Sequence, residues 1–208
     1  MTNDLSTTMI DLIRHGEPEG GQKFRGSLDD PLSELGWQQM RSAIRETDRW
    51  DAIVSSPMQR CRYFAEDLAG QQDIPLHIEE DLREIGFGAW EGLTAEAINE
   101  RFGDQLARFW ADPVGFTPPE GEPVSDFRDR VVRGFRHWQT ELAGKRVLVV
   151  CHGGVIRMVL GDVLGVPLER SFASVSVPYA NRSRIRVDRS RHGEFRSLLS
   201  HFSSDLLR

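Results

Sequence analysis

Val147-Leu148-Val149-Val150-Cys151-His152-Gly153-Gly154-Val155-Ile156-Arg157, VLVVCHGGVIR at 147–157, is the stretch whose reading decides the fold. The aliphatic run Val147–Val150 reads as a buried strand, the strongest in the chain. Gly153 and Gly154 interrupt it. Ile156, Val159, Leu160 and Val163 then recur at helical spacing until Gly165 and Pro167 end the helix. A buried strand that runs straight into a helix is the building unit of a parallel sheet. His152 therefore falls at a strand's carboxyl end, where such sheets gather ligands.

The same unit recurs upstream. Met9–Ile13 is a short apolar run ending in Arg14-His15-Gly16, and a helix with Trp37, Met40 and Ile44 on one face follows Ser33, its N-cap. Ala52–Val54 leads through Ser55-Ser56-Pro57 into a helix marked by Cys61, Phe64, Ala65 and Leu68, with Arg60 at its start. Leu76–Ile78 reads as a further strand. Ile98 and Phe102, then Leu106, Phe109 and Trp110, predict two short helices parted at Gly103. Asp112–Val124 carries Pro113, Pro118, Pro119 and Pro123 and must be loop, either helping to cover a substrate or serving as a packed connector. A long helix follows from Ser125 with Phe127, Val131, Phe135, Trp138 and Leu142 on its apolar stripe. Alternation at 172–177, 183–187 and 194–199 predicts closing strands, and the polar residues 1–8 are expected to fray. The whole reads as an α/β fold with a largely parallel sheet, one domain over 1–208.

Composition narrows the function. A net charge of −6 leaves no broad basic field for a polyanion, so nucleic acid is not the expected partner. No segment has the makings of a signal peptide or a membrane span, so no membrane partner is expected. Cys61 and Cys151 alone make no disulfide framework, which points to a reducing cytoplasm, and no zinc-type spacing appears.

The chemistry sits at three strand ends. Arg14 offers a planar fork of donors suited to phosphate oxygens, and His15 a ring nitrogen that is nucleophilic near neutral pH. Arg60 opens a helix, where backbone N–H groups also favour anions. His152 stands at the third junction. Singly, each has a plain structural reading: a core histidine, a solvated helix arginine, a surface Arg-His pair. Together they describe a site for a small phosphate ester. Cys151 to Arg157 also spells C-x-x-G-x-x-R, the loop of cysteine-dependent phosphatases, although Val150 and Met158 replace the usual flanking residues. The plainer reading makes Cys151 a small buried strand residue.

RHGE at 14–17, RGSLDDPLSELGWQQ at 25–39, SSPMQRCRYFAEDLA at 55–69, LREIGFGAWEG at 82–92, PPEGEPVSDF at 118–127 and VLVVCHGGVIR resemble, in order, the histidine phosphatase superfamily, also called phosphoglycerate mutase-like. The resemblance implies a three-layer sandwich with helices on both faces of the sheet. It makes His15 the nucleophile that becomes a phosphohistidine, with Arg14, Arg60 and His152 holding the phosphoryl oxygens. Glu84 becomes the proton donor and acceptor, with Glu91 and Glu122 as second choices whose plainer reading is loop and cap hydrogen bonding. No metal or other cofactor is implied. Within the superfamily the segments GGQKFRGSLDDPLSELGW, FGAWEGLT and FWADPVGFTPPEGEPVSDF are similar to α-ribazole phosphatases of the cobalamin pathway, which act on α-ribazole 5′-phosphate or its corrinoid product. A phosphoglycerate mutase, a broad-specificity phosphatase and a silent phosphoprotein-binding domain are the alternatives. Many relatives carry an asparagine shortly after RHGE; here Gly20-Gly21 leaves Arg25 or backbone N–H groups to contact phosphate in its place.

Overall fold

The structure is a computed structural model describing residues 6–202. Its elements are β1 (Ser6–Arg14), α1 (Glu34–Ala43), β2 (Ala52–Ser55), α2 (Gln59–Gln72), β3 (Leu76–Ile78), α3 (Ala95–Phe102), α4 (Gln105–Ala111), α5 (Val124–Glu141), β4 (Arg146–Cys151), α6 (Gly153–Leu164), α7 (Ser171–Ser174), β5 (Arg182–Ser190) and β6 (Gly193–Phe202). They form one sheet in the order β3-β2-β4-β1-β5-β6. The first four strands run parallel, and β5 and β6 close one edge antiparallel.

Alternation along the strands produces the three layers. Ile10, Leu12, Val147, Val149 and Cys151 face a core shared with Phe127, Val131 and Phe135 of α5 and Ile156, Val159 and Leu160 of α6. Ile13, Ile53, Leu148 and Val150 point the other way, onto Met40 of α1 and Phe64 and Leu68 of α2. Each such side chain contributes about 1.5–3 kcal/mol on burial. A strand supplying both cores must therefore be apolar throughout, as Val147–Val150 is. The α/β class read from the sequence is the one the chain adopts.

Two local expectations change, and the proline loop takes one of its two open readings. Residues 172–177 form no strand: Phe172 and Val175, three apart, both pack on the α5–α6 core, and Ser171–Ser174 is a helical turn. Residues 6–8 do not fray. They pair with Arg189, Asp188 and Val187 of β5, and the Thr7 hydroxyl donates to Asp188 at 2.7 Å. Residues 1–5 lie outside the described residues. The proline-rich loop is a packed connector rather than a cover: Phe116 stacks on Trp90, the Ala89 N–H donates to Pro119 O, and the Glu122 N–H donates to Gly86 O.

Between β1 and β5, under the end of α1, a buried charge network replaces apolar packing. Arg182 bonds Asp11 at 3.1 Å and Asp48 at 2.5 Å, while Arg184 and the Trp50 indole N–H also donate to Asp11. Burial alone would push the Asp11 carboxyl up. The Arg184 hydrogen bond and the Arg182 charge outweigh it, leaving Asp11 below the usual carboxylate range, and Asp48 likewise. Arg182→Ala leaves Asp11 with Arg184 and Trp50 and Asp48 with only the Arg45 N–H, and is expected to cost about 1–3 kcal/mol near neutral pH. Both aspartates titrate lower in the folded than in the unfolded chain. The network's contribution is thus complete above the ordinary carboxylate pKa and fades as pH falls through the folded values. Urea unfolding of wild type and variant should diverge at pH 7 and converge in acid; curves that coincide at pH 7 would show the network to be dispensable.

Candidate active site

The parallel register brings three strand ends to one place. Arg14 lies opposite Cys151, the His15 N–H donates to Cys151 O at 3.0 Å, and the Ser56 N–H donates to Val150 O at 3.0 Å. Gly16 makes room for the start of α1, since a Cβ there would sit 2.2 Å from Gly36 O. The turn after β1 is thereby clamped under the helix.

His15 is 5% exposed, and its Nδ1 lies 2.7 Å from Gly16 O. A carbonyl only accepts, so Nδ1 carries the proton and Nε2 keeps its lone pair. Burial, then the positive fields of Arg14 and Arg60, hold the imidazole well below its ordinary pKa, so it is neutral near pH 7.

The two arginines are fixed from behind. Arg60, only 1% exposed, donates through Nη1 to Leu28 O and through Nη2 to Gly26 O. Arg14 donates through Nη1 to Val177 O at 2.6 Å, with its guanidinium carbon 4.2 Å from the centre of the Tyr179 ring. The Nε atoms of both are buried and lack any partner among the described residues. Buried charged donors without acceptors are costly, and an anion beside them removes the cost. Arg25 spends Nε on Asp30 and Nη2 on Glu19 O and Gly21 O, so it shapes the glycine turn while still lining the cavity. His152 is fully buried behind His15, with ring centroids 5.2 Å apart and Nε2 2.7 Å from the Ser56 hydroxyl oxygen.

Glu84 faces this group across the cavity. Its carboxylate accepts from the Ile85 N–H at 3.1 Å and the Gly154 N–H at 3.2 Å. Glu91 and Glu122 are engaged structurally: Glu91 accepts from the Ser27 and Phe87 N–H groups, and Glu122 forms a two-point pair with Arg130. Arg130 also donates to the carbonyls of Asp81, Arg83 and Glu84, fastening the backbone that carries Glu84. The cavity holds about 540 Å³ and is lined by Arg14, His15, Arg25, Arg60, Glu84 and Tyr179, with Phe24, Phe87 and Trp110 in its walls. None of the lining residues comes from 112–124.

Arg14, His15, Arg25, Arg60 and Glu84, all singled out from the sequence, thus share one cavity, and His152 backs it. Sequence reasoning missed Tyr179 and Arg130. Tyr179 lies just past a stretch misread as a strand, and Arg130 resembles any exposed-face arginine of a long helix. The cysteine alternative finds no support in the geometry. Cys151 points into the α5–α6 core, burial pushes its thiol well up, and Arg157 is turned to Val175 O. Among the described residues no group of three or more His, Cys, Asp or Glu side chains is placed to hold a metal ion, and no helix is long and apolar enough to cross a membrane.

Gly154 is the point at which the backbone comes up against Glu84. A Cβ there would lie 2.3 Å from Glu84 Oε1 and 3.1 Å from Phe127 Cζ. Gly154→Ala is expected to drive the Glu84 carboxylate off the Gly154 N–H while leaving the fold intact. A crystal structure of the variant with Glu84 unmoved would contradict that close approach.

Known proteins share both sequence and fold. The chain is 37% identical over 158 residues to Bifunctional protein Rv2228c of Mycobacterium tuberculosis, matching 74% of this chain and 43% of that protein, so it spans less than half of that relative's length. It is 30% identical over 191 residues to Phosphoserine phosphatase 1 of Hydrogenobacter thermophilus, 87% of each chain. The structure of the α-ribazole phosphatase from Shigella flexneri superposes with a TM-score of 0.79 over 94% of this chain and 96% of that one, at 24% identity, a likeness of fold. The model of the histidine phosphatase superfamily (branch 1) matches residues 10–198. With that match over nearly its whole length, the chain belongs to the histidine phosphatase superfamily.

Proposed function

We propose that the protein is a phosphomonoesterase acting through a phosphohistidine at His15. The observation that carries this reading is a neutral, buried imidazole with Nε2 free, set beside two buried arginine Nε–H groups that lack acceptors. Phosphoryl transfer asks little of a protein beyond an in-line nucleophile and compensation of charge on the non-bridging oxygens. Arg14 and Arg60 supply that compensation, Arg25 adds to it, and His152 supports the cradle from behind His15. Nε2 of His15 attacks phosphorus as the ester P–O bond breaks. Glu84, the carboxyl group lining the same cavity, acts as general acid and gives a proton to the departing alkoxide. It then takes a proton from the water that attacks phosphohistidine, releasing inorganic phosphate and regenerating the imidazole. The names of relatives, among them phosphoserine and glucosyl-3-phosphoglycerate phosphatases, support hydrolysis of small phosphate esters as the reaction class.

His15→Ala is expected to abolish both turnover and the acid-labile phosphoenzyme seen after rapid quenching with labelled substrate; normal turnover by this variant would end the histidine mechanism. Glu84→Gln should slow alkyl phosphates by about 10²–10⁴-fold and slow p-nitrophenyl phosphate far less, because that leaving group scarcely needs a proton. Equal losses on both would remove Glu84 as the acid.

For the substrate we take α-ribazole 5′-phosphate, on the sequence likeness above and on the aromatic cavity wall. Phe24 and Phe87 pack edge to face, and Trp110 is 51% exposed there, a surface suited to a flat base. Stacking on one aromatic side chain is worth about 1–3 kcal/mol. Trp110→Ala should therefore lower kcat/KM for α-ribazole 5′-phosphate by about 5–150-fold and leave phosphoserine little changed. A flat wild-type profile across α-ribazole 5′-phosphate, phosphoserine, phosphoglycerates and sugar phosphates would defeat this substrate and leave the phosphatase reading standing.

A further inference from the structure

From Val175 to Asn181 the chain has no repeating structure, yet it is tied to the site repeatedly. Arg14 Nη1 donates to Val177 O, and Arg157 Nε donates to Val175 O at 3.0 Å. The Arg14 backbone N–H donates to Asn181 O at 3.0 Å, and the Ala180 N–H donates to His15 O at 3.3 Å. Ala180 is buried with φ at +54°, a left-handed conformation uncommon for alanine. Such a conformation persists only where its surroundings impose it. What the turn presents is Tyr179. Its ring lies over the Arg14 guanidinium at 4.2 Å, and its centroid is 5.8 Å from that of His15. The ring face of Tyr179 is the part that meets the Arg14 guanidinium.

We propose that Tyr179 is a positioning residue of the phosphate site: its ring, with the Val177 carbonyl, holds the Arg14 guanidinium in one orientation, with Nε and Nη2 left for an anion. An arginine loses considerable rotamer freedom when it engages a ligand, and a side chain already immobilised avoids that loss at the moment of binding. The cation–π contact supplies the restraint from one face and the carbonyl from the edge. The inference rests on the phosphate-site reading above but not on turnover.

The test is calorimetric binding of inorganic phosphate to the full chain at pH 7. Tyr179→Leu is expected to raise the Kd by about 3–30-fold, and Tyr179→Phe, which keeps the ring, should restore binding to within about twofold of wild type. Thermal melts establish that each variant is folded, and Tyr179→Met replaces the leucine variant if that one melts early. Wild-type affinity in the ringless variant would overturn the proposal, as would a phenylalanine variant as weak as leucine. A wild-type protein that binds no phosphate would overturn it too. Phosphate binding without any hydrolysis would instead defeat the phosphatase reading and leave the Tyr179 role supported by its own ratio.

Discussion

The parallel register of β1 against β4 is the constraint on which the site depends. Arg14 lies opposite Cys151, so the residues that follow each strand, His15 and His152, emerge side by side at the sheet's carboxyl edge. Side chains alternate along a strand, so a slip of one residue would move Arg14, and the residues before it, to the face opposite the one each now occupies. Burial on both faces prevents the slip. Leu12 and Ile13 go to different cores, and a slip would turn the charged Asp11 away from Arg182 and Arg184 into the apolar α5–α6 core. The geometry of a polar site is thus set by hydrophobic packing beneath it.

Around that register the charges are arranged with one sign prevailing. Arg14, Lys23, Arg25 and Arg60 share the cavity with two carboxylates, Glu84 and Glu96. Their fields and the burial of His15 act together to keep its imidazole neutral, which is the state a nucleophile needs. Mutual repulsion among the guanidinium groups is offset by backbone carbonyls: Leu28 and Gly26 for Arg60, Glu19 and Gly21 for Arg25, Val177 for Arg14. These carbonyls belong to loops, so each cation also fixes the loop that forms a wall of the cavity. Removing a cation here would loosen the cavity as well as weaken its field.

Legibility from sequence varied with the reach of the signal. Val147–Val150, Met9–Ile13 and the helix stripes were readable because burial periodicity is local. The proline loop's place outside regular structure was readable too, from the conformational restriction of proline. Its packing against Gly86 and Ala89 was not, because those partners lie about thirty residues upstream in the chain and contact it only in the fold. The misreading at 172–177 arose where alternation and helical spacing overlap over a few residues, and the α5–α6 core selected the helical turn.

The sequence alone determined the fold class, the strand-end placement of Arg14, His15, Arg60 and His152, and the resemblance that singled out Glu84. Strand-to-helix junctions and their residue types are written contiguously. Only the tertiary structure decided how these groups are held: His15 with its lone pair on Nε2, His152 behind rather than in the cavity, Arg130 fastening the Glu84 backbone, and Tyr179 over Arg14. Each of those depends on which carbonyl or ring stands within about 3–6 Å, the range over which hydrogen bonds and cation–π contacts act. Those neighbours come from distant parts of the chain, and their distances exist only once it has folded.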